Sequence, residues 1–273
     1  AQAEPLLDLL AREGAAAVAE SPETAAKLVV VAAAFGKDPR TFVPGTDLVA
    51  VVTDAIAEDG SFGAWPGPFA SGLAAVALDR AGEAVPAALT THLLTYANED
   101  GGFGFGAGEP SDADSTGMAL LGLLADGSDA TSEATEKARA WATANQAEDG
   151  SWPGYNPVNS TAIMGGALAS AGGDPAGAVT YLTGQQAASG AFTNAGADDF
   201  IATTQAALLL GGASYLDVTA GATPDATPSE SPAAAPTAAS TAVAVPASPD
   251  AVPATTAPAS PPATTDGGSA PRG

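Results

Sequence analysis

The sequence predicts an all-α domain built from helical hairpins, followed by a disordered tail. Two series of glycines recur at near-even spacing, segments of helical length lie between them, and the composition changes sharply near residue 218. The 273-residue chain therefore divides into a folded domain, residues 1–218, and a tail, residues 219–273. A domain of that size buries roughly 70% of its unfolded surface and needs no disulfide or metal ion for stability.

Four related turns mark the repeat, and each has glycine at its centre. They read IAEDGSF (56–62), ANEDGGF (97–103), QAEDGSW (146–152) and QAASGAF (186–192), with glycines 41, 49 and 40 residues apart. A second glycine series interleaves with the first: Gly36, Gly82, Gly127, Gly172 and Gly211. Two interleaved series separated by segments of helical length predict two helices per repeat.

The two helices of each repeat differ in pattern. The first is amphipathic, because its apolar residues recur every three or four positions, and we expect the turn glycine to cap it. The second is apolar or small nearly all round, which predicts burial on most faces. The amphipathic segments are 6–13, 46–58, 86–98 and 132–146, and the apolar segments are 22–36, 69–82, 114–127, 160–173 and 199–212. About five hairpins, with the apolar helices in an inner ring and the amphipathic helices in an outer ring, would form an α/α toroid. The expected N-caps of the inner helices are Ser21, Asp112 or Asp114, Asn159 or Ser160, and Asp198.

One turn carries a recognisable motif. Gln146, Gly150 and Trp152 resemble the QW motif, Gln-x3-Gly-x-Trp, of squalene and oxidosqualene cyclases and related prenyltransferase repeats. Gln186, Gly190 and Phe192 repeat the pattern with Phe in place of Trp. Residues 5–216 therefore resemble the prenyltransferase/squalene-oxidase repeat proteins of the terpenoid cyclase and protein prenyltransferase superfamily. The resemblance implies a toroid in which these side chains tie adjacent outer helices together. Members usually have about six hairpins, so five here predict an open ring.

An aspartate pair offers one route to catalysis. Asp112-Ala-Asp114-Ser115-Thr116 resembles the Asp-x-Asp-Asp-Thr motif of hopene-type cyclases, with Ser115 in place of the third aspartate. The resemblance implies a general acid at Asp112 or Asp114. The alternative is that both carboxylates cap the helix that follows.

Other catalytic sets are incomplete in this sequence. The chain has no cysteine and a single histidine, His92, so thiol chemistry and a prenyltransferase-type zinc site are excluded, and we expect no metal or cofactor. Asp198-Asp199 lacks the third aspartate of a magnesium–diphosphate motif. A pair of carboxylates across a cleft, as in some glycoside hydrolases, stays open.

The loops from outer to inner helices should open on one end of the ring, where glycines, aromatic residues and acids make a ligand mouth. The net charge of −23 argues against nucleic acid and anionic membranes as partners. The candidate ligand-binding residues are Trp65, Phe105, Asp112, Asp114, Tyr155, Asn159, Asp198 and Asp199.

Three functional hypotheses follow. The first is a secreted or cell-surface, non-catalytic module that binds a small molecule or a partner, similar at fold level to the helical domain of cobalamin carriers. The second is a reduced terpenoid-cyclase-like enzyme with an aspartic general acid, and the third is a structural surface protein. The Ala/Pro/Thr/Ser-rich tail and the start AQAEP favour bacterial-type export to the envelope or outside the cell, without membrane insertion of this chain.

Overall fold

A computed structural model describes residues 3–194 and 196–220. The described part is helical apart from one short antiparallel hairpin, which confirms the all-α class. The helices are α1 (Glu4–Glu20), α2 (Pro22–Ala34), α3 (Leu48–Asp54), α4 (Pro68–Arg80), α5 (Ala87–Leu94), α6 (Ala113–Asp126), α7 (Ser132–Ala144), α8 (Pro157–Ser170), α9 (Ala176–Gln185) and α10 (Phe200–Leu210). The hairpin pairs β1 (Phe192–Asn194) with β2 (Ala197–Asp199). The disorder predicted for the tail concerns residues 221–273, which lie outside the described residues.

The helices alternate between two environments. The even-numbered helices, here called the inner helices, pack on one another in chain order, from α2 through α4, α6 and α8 to α10. The odd-numbered outer helices flank them. Each of α4, α6 and α8 buries ten residues, whereas each outer helix buries two or three. This difference matches the two apolar patterns at the three central inner helices. Helix α2 buries six residues and α10 only three, so the burial predicted for segment 199–212 is wrong. Closure of the five inner helices into a complete toroid stays a prediction.

Small residues allow the inner helices to pack closely. A Cβ atom on Gly72 of α4 would lie 2.1 Å from the carbonyl oxygen of Met118 on α6, and one on Gly122 would lie 2.7 Å from the Cα of Gly72. A Cβ on Gly117 would lie 2.9 Å from a methyl group of Ile163 on α8. Glycine in a helix normally lowers stability, so its use here is explained by the close approach of the two backbones.

The chain after α10 turns back across the C-terminal ends of earlier inner helices. The Ser170 hydroxyl at the end of α8 donates to the Ser214 hydroxyl at 2.9 Å. Arg80 at the end of α4 donates to the carbonyls of Leu216 and Val218 at 3.1 and 2.6 Å. The N–H of Ala220 then donates to the carbonyl of Ala34, at the end of α2, at 2.7 Å. Residues 213–220, here called the return segment, thus bridge three inner helices.

The ends of the outer helices differ from the prediction. Helices α3, α5 and α7 end six or seven residues before the turn glycine, so the expectation that this glycine caps them is wrong. The glycine instead has a positive φ inside a separate tight turn; at Gly150, φ is +88°. Each turn is closed by a backbone hydrogen bond, as from Ala147 N to Ser151 O at 2.8 Å.

The N-caps are confirmed at two inner helices and shifted at two. Ser21 and Asp112 cap α2 and α6 as expected. Asn156 caps α8, in place of Asn159 or Ser160, because Pro157 fixes the first helical residue. Asp199, in place of Asp198, caps α10.

After α10, the glycine with a left-handed conformation is Gly212, with φ +74°, and not Gly211, the last glycine of the second series. Within the described residues, no helix is both long and apolar enough to cross a membrane.

Candidate functional site

The QW-like turn is tied mainly to its own repeat. The Trp152 side chain is fully buried, and its indole N–H donates to the carbonyl of Ala142 near the end of α7 at 2.9 Å. The Gln146 amide donates to the carbonyl of Gly150 at 2.9 Å, so the motif glutamine closes its own turn. Gln186 makes the same bond to the carbonyl of Gly190 at 2.8 Å. Phe192, the aromatic residue of that turn, is buried. These six motif residues are therefore structural in this geometry.

The turn glycines are also where adjacent repeats meet. A Cβ atom at Gly60 would lie 1.9 Å from the carbonyl oxygen of Ala88 on α5, the next outer helix. Gly101 and Gly150 lie in the same way against the next outer helices, α7 and α9. At Gly190, no described residue lies within 4 Å of that Cβ position. In the first three turns, the following outer helix thus packs directly against the turn glycine, where a side chain would not fit.

In three repeats, a threonine hydroxyl accepts a hydrogen bond from the backbone N–H of the turn aromatic. The sequence analysis did not predict this contact. The Thr116 hydroxyl accepts from the N–H of Phe103 at 2.9 Å, near the start of α6. The equivalent bonds join Thr161 to Trp152 at 3.0 Å and Thr203 to Phe192 at 2.9 Å. The signal in the sequence was a threonine in the first turn of each of these inner helices. The variable spacing of 13, 9 and 11 residues from the aromatic hid it.

The aromatic residues singled out beyond the turns lie at one end of the domain. Trp65, Phe105 and Tyr155 are 85%, 77% and 97% exposed, and each lies in a loop that leads into an inner helix. Phe200, which the sequence analysis did not select, begins α10 and is 82% exposed. Four successive repeats thus place one exposed aromatic residue each beside the N-terminus of an inner helix. We call this set the rim aromatics.

Contacts between the loops hold this end in place. A carboxylate oxygen of Glu23 on α2 accepts from the N–H of Ala64 at 2.9 Å. Burial acts to raise the pKa of Glu23, but hydrogen bonds from Ser21 and backbone N–H groups outweigh it, and the pKa is lowered. Next along the rim, a Cβ at Gly67 would lie 3.3 Å from the carbonyl oxygen of Phe105. The first two loops are therefore fixed to α2 and to each other.

The aspartate pair has two separate roles in this geometry. Asp112 is the N-cap of α6 and accepts from the N–H of Ser115 at 2.8 Å. Asp114 is half-buried and accepts from the Ser160 hydroxyl of α8 at 2.9 Å, so it joins two inner helices and does not cap. Burial raises the pKa of Asp114 and the charge of Asp112 adds to this, while the Ser160 hydrogen bond opposes it.

The other predicted site residues are spread over the same end. Asp199 caps α10 by accepting from the N–H of Ala202 at 2.8 Å. Asp198 is exposed on β2 and accepts from the Ser189 hydroxyl at 3.3 Å. Asn159 lies inside α8, and its side-chain oxygen is buried without a hydrogen-bond partner among the described residues. The predicted residues thus fall into separate repeats: Trp65 in the first, Phe105, Asp112 and Asp114 in the second, Tyr155 and Asn159 in the third, and Asp198 and Asp199 in the fourth.

A pocket of about 340 Å³ lies between the inner helices. Phe69 and Ile201, the second residues of α4 and α10, place its mouth at the rim end. Leu73 and Met118 form apolar walls one turn further along α4 and α6, and Tyr215 of the return segment forms the floor. Polar groups come from α2 and α10, namely Lys27, Thr204 and Gln205.

In the described ranges, no group of three or more His, Asp or Glu residues is arranged to hold a metal ion. No protein-family model matches the sequence, and no curated protein matches it. The functional interpretation therefore depends on the geometry of the rim and the pocket.

Proposed function

We propose that this chain is a non-catalytic binding module, secreted or held at the cell surface, that takes a small molecule into the pocket between its inner helices. The observation that carries the proposal is the apolar pocket itself, which begins at the rim and ends at Tyr215. Ligand sites are typically concave, mostly apolar and fitted with a few convergent polar groups. This pocket has that composition.

The size of the pocket limits the ligand. A volume of about 340 Å³ is at the small end of the range for ligand sites, roughly 300 to 1,000 Å³. It favours a compact apolar molecule, or the apolar end of a longer one, over a whole corrinoid ring. The similarity to cobalamin carriers would then extend to the helical architecture and not to the ligand.

The polar groups of the pocket indicate which functional groups the ligand carries. Lys27 forms no salt bridge with any described residue, although its charge helps to lower the pKa of Glu23; its exposed ammonium group is available to an acceptor or an anion at the pocket. The side-chain oxygen of Gln205 is buried without a partner among the described residues and calls for a donor. A ligand with an apolar body, an anionic or acceptor group and a hydroxyl or amide donor satisfies both.

A thermal-shift and native mass spectrometry screen of the full chain tests the proposal. The probes are decanoic acid, geranyl diphosphate, squalene and cyanocobalamin. A ligand at a hundredfold excess over its Kd adds about 2.7 kcal/mol to the free energy of unfolding, which a melting curve resolves. We expect a shift from a compact amphipathic probe and none from cyanocobalamin, and no shift from any probe would contradict the proposal.

A matched pair of variants locates the binding. Thr204→Trp places a large side chain in the pocket, whereas Thr180→Trp places it on the exposed face of α9. Both threonines bond a carbonyl four residues earlier, at 3.0 and 2.9 Å, so the local change is the same. Thr204→Trp should abolish the ligand-induced shift and Thr180→Trp should keep it. Equal shifts in the two variants would place the ligand elsewhere.

A reduced terpenoid-cyclase-like enzyme is the second candidate, and one observation favours it. The pKa of Asp114 is raised by burial, and a proton kept on a carboxyl is what a general acid requires. Incubation with squalene, followed by product analysis of the parent chain and Asp114→Asn, tests this candidate. Product from the parent chain that is lost in a folded Asp114→Asn variant would establish catalysis and overturn the non-catalytic proposal.

A further inference from the structure

The rim is acidic as well as aromatic. The four segments that join outer to inner helices contain eleven Asp and Glu residues and no Lys, Arg or His. These segments are 58–69, 99–115, 148–160 and 186–201. Seven of the eight basic residues lie on α1, α2, α4 and α7 or in the loop after α2. The four segments are therefore uniformly negative, although the chain as a whole carries both signs.

The rim aromatics are exposed to an extent that the fold does not require. The turn aromatics Phe62, Phe103, Trp152 and Phe192 are all buried, so the repeat packs without any contribution from the rim aromatics. A soluble domain seldom leaves several large aromatic side chains in water on one face without a partner. These residues recur in four successive repeats, so they form an extended exposed surface and are not one isolated exposed side chain.

The three loops that carry Trp65, Phe105 and Tyr155 contact other parts of the fold. Glu23 holds the first loop through Ala64, and the backbone at Gly67 touches Phe105 in the second loop. The third loop lies against the second repeat, because a Cβ on Gly154 would lie 3.5 Å from the Asp114 carboxylate. Binding at this surface therefore costs little loop ordering.

Two of the rim acids, Asp59 and Asp149, have a lowered pKa, which favours their ionised form. The Ser61 hydroxyl lowers the pKa of Asp59, and the Ser151 hydroxyl lowers the pKa of Asp149 in the same way. Exposed aromatic faces attract cations, and the attraction is strongest for Arg and Lys over Trp or Tyr. Carboxylates around such faces supply the complementary charge and steer a basic partner to them.

We propose that the rim is a docking surface for a basic polypeptide segment, whose Arg and Lys side chains stack on the rim aromatics and pair with the neighbouring carboxylates. The four aromatic side chains come from four successive repeats, three on loops and Phe200 at the start of α10, which suits an extended chain better than a small ammonium ion. The rim borders the pocket at Phe69 and Ile201, but the proposal does not depend on a pocket ligand.

Fluorescence anisotropy with labelled deca-arginine, at about 0.15 M salt, tests the proposal on the full chain. The critical variant replaces all four rim aromatics with serine and leaves the net charge unchanged: Trp65→Ser, Phe105→Ser, Tyr155→Ser and Phe200→Ser. We expect Kd to rise at least tenfold. An unchanged Kd would show simple attraction between a polycation and an acidic chain, and would overturn the proposal. Circular dichroism and the melting temperature verify the fold, since these exposed side chains contribute little to it.

A second comparison separates local charge from total charge. Glu58→Gln, Glu99→Gln and Glu148→Gln remove three exposed rim charges at equivalent positions of three repeats. The control removes three exposed charges on α1 and in the loop after α6, none of which forms an ion pair within the described residues: Glu4→Gln, Asp8→Asn and Asp129→Asn. The rim variant should weaken binding several-fold more than the control, and equal weakening would count against a localised site.

Competition identifies the class of partner. Tetramethylammonium and chitohexaose are added to the preformed complex in separate titrations, with deca-glutamate as the negative control. None should displace deca-arginine at millimolar concentration. Displacement by tetramethylammonium would reassign the rim to a small cation and displacement by chitohexaose to a glycan, and either result would overturn the polypeptide assignment. Deca-arginine binding is measured with no pocket probe present, so a failure of the pocket proposal remains distinguishable from a failure of this one.

Discussion

The hydroxyl of Thr161 accepts a hydrogen bond from the backbone N–H of Trp152 at 3.0 Å. Both groups are buried, so the bond has no competition from water. It joins the tight turn at the end of one outer helix to the first turn of the inner helix that follows. The same bond, made by Thr116 and Thr203, joins the turn to the inner helix in two further repeats.

We expect Thr161→Val to lower the free energy of unfolding by about 1 to 3 kcal/mol, because the Trp152 N–H would be buried without an acceptor. Thr180→Val on exposed α9 is the control and should change it by less than about 0.5 kcal/mol. Urea denaturation of both variants gives the comparison. Equal effects would mean that the hydroxyl is not needed to satisfy the turn.

The turn glycines offer a matched pair. Gly150 and Gly190 have nearly the same φ, +88° and +86°, but only Gly150 faces a described neighbour, because a Cβ there would lie 2.2 Å from the carbonyl oxygen of Gly177. Gly190→Ala should cost about 1 to 2 kcal/mol for the left-handed backbone alone. Gly150→Ala should cost about 1 to 3 kcal/mol more, because the new methyl group would push α9 away. Chemical denaturation measures both, and equal costs would contradict the inter-repeat contact.

Trp152→Phe tests the motif tryptophan. Loss of the indole N–H leaves the buried carbonyl of Ala142 without its donor and leaves a space in the core, so we expect a loss of about 1 to 3 kcal/mol. Trp65→Phe on the rim should stay within about 0.5 kcal/mol of the parent chain. Denaturation followed by circular dichroism avoids dependence on the tryptophan signal.

The raised pKa of Asp114 predicts a pH-dependent effect of Asp114→Asn. The native state holds this proton more tightly than the unfolded chain does, so the parent chain loses stability as pH rises from the ordinary aspartate range through the raised pKa. Asparagine does not ionise, so the melting temperature of Asp114→Asn relative to the parent should increase between pH 3 and pH 7. A difference that falls over this range would show that the charged carboxylate stabilises the fold.

For Asp149→Asn, we expect the opposite dependence of the melting temperature on pH. The Ser151 hydroxyl lowers the pKa of Asp149, so the ionised carboxylate stabilises the native state above the ordinary aspartate pKa. This contribution is lost as pH falls through the lowered pKa. Asp149→Asn should therefore melt below the parent at pH 7 and approach it at pH 3. From pH 3 to pH 7, the melting temperature relative to the parent chain should therefore fall for Asp149→Asn and rise for Asp114→Asn. Melting curves of both variants across that range provide the comparison.

The sequence predicted the central inner helices well because periodicity reports burial directly. A segment that is apolar all round, such as 114–127, has few alternatives to a buried helix, and α6 begins one residue earlier and ends one residue sooner. The ends of the outer helices were predicted poorly because a glycine signals positive φ, but not whether that φ belongs to a helix cap or to a separate turn. At Gly150, φ is positive, but α7 has already ended at Ala144, so the glycine belongs to the turn and not to a helix cap.

The site was predicted in composition but not in arrangement. Trp65, Phe105 and Tyr155 were singled out because they follow the repeat aromatic, and all three are exposed. Phe200 was missed because β2 and α10 adjoin without a loop, so nothing in the local sequence separates it from a core aromatic. The pocket floor at Tyr215 depends on the course of the return segment, which no local pattern encodes.

The return segment also has a consequence for how the domain unfolds. A linear array of hairpins held only by nearest neighbours can fray from either end, and its stability is a sum of local terms. Here residue 220 is bonded to residue 34 and residue 216 to residue 80, so the last repeat cannot separate without breaking contacts with the first two. Such long-range contacts slow folding but join the repeats into one cooperative transition. The return segment therefore makes an end-to-end array behave as a single thermodynamic unit.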